Sequence, residues 1–75
     1  MSDKQVNVAI IGLGFGAEFI PIYQHHPNAR MYAICQRSQT KLDEVGDALN
    51  VEKRYTKYEA VLSDPEVAFV HINSP

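Results

Sequence analysis

Seventy-five residues, 45% of them hydrophobic, suffice for one small domain that buries roughly 60% of its unfolded surface. A formal net charge of −2 gives no electrostatic footprint for nucleic acid or an anionic membrane. The single cysteine, Cys35, cannot close an internal disulfide, no apolar run is long enough to cross a bilayer, and Met1 to Gln5 lacks the apolar core of a signal peptide, so the reading is a soluble, cytoplasmic protein.

In chain order, Val6 to Ile11 is rich in β-branched residues and saturates with them at its end, the pattern of a strand buried on both faces. Glycines then fall at every second position, Gly12, Gly14 and Gly16, followed by Ala17. A first helix is predicted from Phe15 to about His25, with Phe15, Phe19, Ile22 and Tyr23 near one face and a kink or loosened turn at Pro21, which has no N–H to donate. His26-Pro27-Asn28 ends it. Arg30 to Cys35 is the second strand.

Ser38 or Thr40 caps a second helix reaching about Leu49, with Leu42, Val45 and Leu49 spaced for one face. Val51 to Tyr55 reads as a short third strand. Thr56-Lys57-Tyr58-Glu59 has the capping-box form of a third, short helix that shows Tyr58, Val61 and Leu62 to the core. Ser63-Asp64-Pro65 closes it, and Val67 to Ile72 is a fourth, continuously apolar strand ahead of Asn73-Ser74-Pro75.

The order β-α-β-α-β-α-β predicts an α/β protein with a doubly wound, Rossmann-like parallel sheet. Right-handed crossovers place the first two helices on one face. The strand order 3-2-1-4 sends the third helix to the other face and brings the carboxyl ends of strands one and four together at a switch point, where ligands bind. Gly12 and Ser74 should then be neighbours in space.

The glycines fit this frame. Gly12, Gly14 and Ala17 form G-x-G-x-x-A, a dinucleotide-binding fingerprint placed directly after a strand. Gly12 permits the tight turn, Gly14 removes the Cβ that would bar a pyrophosphate, and Ala17 keeps the helix close to the sheet. Unpaired N–H groups over Gly12-Leu13-Gly14-Phe15-Gly16-Ala17, with the positive end of the helix dipole, would face the phosphates. About 20 residues on, where a carboxylate usually meets the ribose hydroxyls, stand Gln36, Arg37 and Ser38. A carboxylate would repel the extra phosphate of NADP; Gln36 does not, and Arg37 and Ser38 are suited to bind it. The cofactor expected is NADP or NAD, with NADP favoured.

These residues resemble the Gfo/Idh/MocA oxidoreductases over essentially the whole chain. Val8 to Gly14 is similar to the family's opening, and Pro21 with Pro27-Asn28-Ala29 to its path into strand two. Tyr58 to Leu62 and Asp64 to Val67 resemble its lead into strand four. Val70-His71-Ile72-Asn73-Ser74-Pro75 resembles the strand ending in a Thr-Pro element that lines the cofactor, with Ser74 keeping the hydroxyl. Gln36 departs from the family's common acidic residue, which weakens the case for NAD. The resemblance implies a nucleotide-binding N-terminal domain followed by a larger α/β substrate domain, and hydride transfer between the nicotinamide and a carbinol carbon, often of a sugar or cyclitol. It places the catalytic lysine, in a Glu-Lys-Pro motif, downstream of strand four. Residues 1–75 are therefore expected to be a partial NAD(P)-binding domain without the substrate domain, inactive alone, with no catalytic residue assigned. Asn73, Ser74 and Pro75 are expected to border the nicotinamide half.

The other reactive residues read as structural. His25 and His26 are solvated helix-end side chains without a Cys/His cluster, so no metal site is expected. His71 is a satisfied core or switch-point histidine, and Cys35 a small buried hydrophobe. Tyr55 and Tyr58 are packing residues, while Lys53, Arg54 and Lys57 are solvated surface. Two rival functions remain: an S-adenosylmethionine-dependent methyltransferase, disfavoured by Ile11 where an acidic residue usually precedes the glycines, and a non-enzymatic nucleotide-binding module. Only the short third helix covers the second sheet face, so strand four or its face should be exposed and the chain should associate, as a homo-oligomer or with further chain. The expected partner of the intact protein is a small-molecule substrate, with no nucleic acid and no membrane.

Overall fold

The computed structural model describes residues 5–73; Ser74, Pro75 and the side chains of Phe15 and Gly16 lie outside that set. Four parallel strands, β1 (Val6–Ile11), β2 (Ala29–Cys35), β3 (Lys53–Tyr55) and β4 (Phe69–Ile72), form one sheet in the order β3-β2-β1-β4. This is the doubly wound order expected. The register sets Ile11 level with both Cys35 and Ile72, and Cys35 level with Tyr55, so the carboxyl ends of all four strands finish together. The β1–β2 register shifts between Val8 and Ala9, which pair with Met31 and Ala33; Tyr32 is the extra residue of a bulge in β2.

Both faces of β1 are buried, as its β-branched sequence requires. Val8 and Ile10 pack with Ile34 on one face, under Leu13, Ile20, Leu42 and Val51. Ala9, Ala33 and Cys35 line the other face, under Val61. Each fully buried aliphatic side chain contributes about 1.5–3 kcal/mol. The helices divide accordingly: α1 (Leu13–Gly16), α2 (Ile20–His25) and α3 (Gln39–Leu49) serve the first face, and α4 (Tyr58–Leu62) the second.

The helix expected from Phe15 to His25 is in fact two pieces joined by a 3-10 turn, Ala17–Phe19. Pro21 cannot donate to the Ala17 carbonyl, and glycines 14 and 16 stabilise a helix poorly, so the break falls a turn before the proline. Pro21 then sits in the first turn of α2, where a missing N–H costs nothing. The break resets the helical phase. Ile20 is fully buried, whereas Ile22, expected in the core, is 57% exposed; Phe19 and Tyr23 pack against the core as anticipated.

Ser38 caps α3, its Oγ accepting from the Lys41 N–H at 3.3 Å, and Asn50 ends it in the left-handed region at φ 60°. Leu42, Val45 and Leu49 face the core. Val51 is a buried loop residue and not part of β3, because its N–H closes the helix end on Gly46 O. The expected Thr56–Glu59 capping box does not form: Lys57 is the N-cap of α4 and no side chain caps it. Only Val61 of that helix is buried, and Tyr58 and Leu62 face out. β4 begins at Phe69, two residues later than expected, since Val67 N–H turns back to Asp64 O.

Arg54 is not the solvated residue expected. It lies half-buried across α3, bonded to Asp43 at 3.1 Å, Asp47 at 2.9 Å and Val51 O at 2.8 Å. Gly46 makes room for it; a Cβ there would overlap the guanidinium.

Candidate functional site

The site forms where the strands end. Gly12 leaves β1 at φ +92°, a conformation that L side chains rarely adopt. Its N–H donates to Cys35 O at 3.0 Å, while Asn73 N–H donates to Ile11 O at 2.9 Å. The chain leaving β4 therefore passes so close to Gly12 that a Cβ would overlap the Asn73 carbonyl. Asn73, the last described residue, meets Gly12; Ser74, the neighbour expected of Gly12, and Pro75 lie outside the described residues.

Gly14 behaves differently. Among the described residues, none lies within 4 Å of where a Gly14 Cβ would stand, so they leave the space above its main chain open. Leu13 is fully buried in the core, which leaves only its main chain for the site. Because α1 is a single turn followed by a 3-10 segment, few peptide dipoles align there. Attraction for an anion at this point rests on individual N–H groups more than on a long helix dipole.

Beside this turn lies a cleft of about 480 Å³. Ile11 and Gly12 floor it, Ile72 and Asn73 border one side, and Gln36 and Arg37 another. Gln36 N–H donates to Tyr55 O at 3.1 Å, tying the exits of β2 and β3 together. Its side-chain Oε1 accepts from Arg37 N–H at 3.0 Å, so a neutral amide stands just past the end of β2. Arg37 is exposed and forms no ion pair among the described residues. The Ser38 hydroxyl is engaged in capping α3. Thr56 and Tyr58 also line the cleft, and the sequence reading had missed them as site residues. The available signal was the strand order itself: if β3 ends level with β2, the residues after Tyr55 must border the same opening.

The remaining reactive groups have structural partners. Burial pushes the Cys35 thiol up, with Glu59 adding to the shift, so it is not primed as a nucleophile. His71 Nδ1 and Tyr23 Oη are 2.8 Å apart, and the Phe19 ring lies tilted at 44° to the histidine ring with centroids 4.6 Å apart. His25 Nδ1 bonds Pro21 O, and His26 Nδ1 accepts from Asn28 N–H. On the second face, Asp64 Oδ2 accepts from Tyr55 at 2.6 Å and Tyr32 at 3.0 Å, and its Oδ1 from Glu66 N–H. The Tyr55 hydrogen bond, then that of Glu66, holds the Asp64 carboxyl below its ordinary value; in return Tyr55 is pushed up to about 12.

Comparison with known proteins agrees with this geometry. A family model described as an oxidoreductase family with an NAD-binding Rossmann fold matches residues 6–75. The chain is 39% identical over 74 residues to an uncharacterised oxidoreductase of Synechocystis, covering 97% of this chain and 20% of that protein. It is similar, at TM-score 0.88 and 30% identity, to an Agrobacterium radiobacter oxidoreductase solved with NAD+, L-tartaric acid and magnesium; the match covers 96% of this chain and 21% of the other. A candidate NADPH-dependent oxidoreductase from Desulfitobacterium hafniense matches at TM-score 0.87 and 25% identity, over 99% of this chain and 21% of that one. The chain thus spans about a fifth of the length of these relatives.

Proposed function

Because the chain belongs to the Gfo/Idh/MocA oxidoreductase family, we propose that residues 1–75 are the nucleotide-binding part of an enzyme that moves hydride between a nicotinamide dinucleotide and a carbinol carbon of a sugar- or cyclitol-like substrate. The observation that carries this is the paired behaviour of two glycines. Gly12 is closed against the exit of β4, while Gly14 two residues on is free of contact with the described residues, which leaves main chain open at the switch point.

In this reading the residues from Gly12 to Ala17 offer main-chain N–H groups to the pyrophosphate, and the Gln36–Ser38 segment meets the adenosine end. Asn73, followed by Ser74 and Pro75, borders the nicotinamide half. Bound nicotinamide supplies the hydride or accepts it. This chain's own residues bind and orient the dinucleotide, and none is assigned a proton or a nucleophilic role. The neutral Gln36 and Arg37, which has no ion pair among the described residues, favour NADP over NAD, since a 2′-phosphate beside them meets a cation and no carboxylate. A polyhydroxylated substrate accords with the L-tartaric acid bound in the Agrobacterium relative. Family membership also weighs against the S-adenosylmethionine reading.

Titration of the protein with NADPH, NADH and S-adenosylmethionine tests this directly. Binding of a nicotinamide dinucleotide, NADPH ahead of NADH, is the expected result. Saturable binding of S-adenosylmethionine with none of either dinucleotide would overturn the assignment.

A further inference from the structure

The cleft beside Gly12 does not end at Arg37. A second hollow of about 560 Å³ continues from it, sharing Arg37, Thr56 and Tyr58 and adding Lys57 and Glu59. Two cationic side chains from different segments flank this hollow, Arg37 after β2 and Lys57 after β3. The hydrogen bond from Gln36 N–H to Tyr55 O holds those segments side by side as they leave the sheet. Both cations are exposed, and neither pairs with a carboxylate among the described residues. Arg54, by contrast, is consumed by Asp43 and Asp47.

We propose that Lys57, with the Thr56 hydroxyl beside it, is the second arm of a site for the 2′-phosphate of the dinucleotide, opposite Arg37. The inference rests on the NADP reading given above and adds a determinant in the β3–α4 loop. A phosphomonoester carries about −1.5 to −2 charges at neutral pH, more than one guanidinium neutralises. Arg37 supplies a planar fork, Lys57 a compact charge, and Thr56 an uncharged donor. Glu59 lines the same hollow and opposes an anion, so the phosphate belongs nearer Arg37 and Lys57 than Glu59.

The test is calorimetric titration of the protein with adenosine 2′,5′-bisphosphate and with 5′-AMP, which differ only by the phosphate in question. Wild type should bind the bisphosphate more tightly. Lys57→Ala should weaken the bisphosphate by about three- to tenfold and leave 5′-AMP unchanged. Lys57→Arg should restore most of that loss, and Glu59→Gln should tighten the bisphosphate. All these positions are exposed, and thermal melts check that each variant remains folded. If Arg37→Ala loses the bisphosphate while Lys57→Ala does not, the second arm is refuted and the NADP reading stands. If wild type fails to distinguish the two nucleotides, the NADP reading fails and the arm with it.

Discussion

Gly12 and Gly14 are two residues apart in one motif, yet the structure predicts opposite consequences for the same substitution. Gly12→Ala places a Cβ against the Asn73 carbonyl, on a backbone at φ +92°. Left-handed strain at a non-glycine residue costs on the order of 1–3 kcal/mol, and the overlap is with main chain that cannot rotate away. A total near 2–4 kcal/mol compares with about 4–11 kcal/mol of stability typical for a chain of this size. At about 4–8 °C per kcal/mol, the melting temperature should fall by roughly 8–32 °C. Gly14→Ala meets no atom of the described residues and stands in the single turn of α1, where alanine is favoured over glycine by about 0.5–1 kcal/mol. It should melt no lower than wild type, while its new methyl group intrudes where the pyrophosphate would approach and weakens dinucleotide binding about tenfold or more. Differential scanning fluorimetry and calorimetric titration read the two effects separately. Unimpaired dinucleotide binding by Gly14→Ala would refute the reasoning for the site, and an unchanged melt of Gly12→Ala would refute the β1–β4 seam.

Gln36→Asp puts a carboxylate at the ribose position and should shift preference from NADPH toward NADH; titration with both nucleotides checks it, and an unchanged ratio argues against adenosine recognition at this residue. Asp64 is held below its ordinary value in the fold, so its stabilisation is present above the unfolded value near 4 and disappears as pH falls through the folded one; urea midpoints should drop less on acidification in Asp64→Asn than in wild type. Tyr55 is shifted the opposite way, to about 12, so its contribution is intact below an ordinary tyrosine value of 10.0 and is lost between the two, giving an alkaline decline in stability that Tyr55→Phe should blunt. Phe69 and Ile72 are 50% and 68% exposed on β4, a strand at the sheet edge, so the 75-residue chain should self-associate in sedimentation runs and Ile72→Lys should reduce it; a monodisperse wild-type monomer at high concentration would contradict this.

The strands, their order and the glycine turn were legible in the sequence because each rests on a local rule. β-branched saturation marks a strand covered on both faces, and the crossover rules allow few ways to connect four such strands. Leu42 as a core residue follows from helical period, and a cap at Ser38 or Thr40 from side-chain preference; the structure selects Ser38. The fingerprint at Gly12 and Gly14 was visible as spelling, but the different duties of its two glycines were not, since one depends on Asn73 arriving from the far end of the chain. Helical phase after the 3-10 turn, which buries Ile20 and turns Ile22 outward, came from a break one turn ahead of Pro21, where the sequence placed the kink. The Arg54 pairs and the meeting of Tyr32 with Asp64, 32 residues apart, belong to the same class. Thr56 and Tyr58 enter the cleft, and Lys57 the hollow beyond it, for that reason too: a β3 of only three residues, ending level with β2, delivers the loop after it to the opening. Periodicity and propensity report on neighbours along the chain, whereas a partner brought in by sheet register is defined only once the strands have paired.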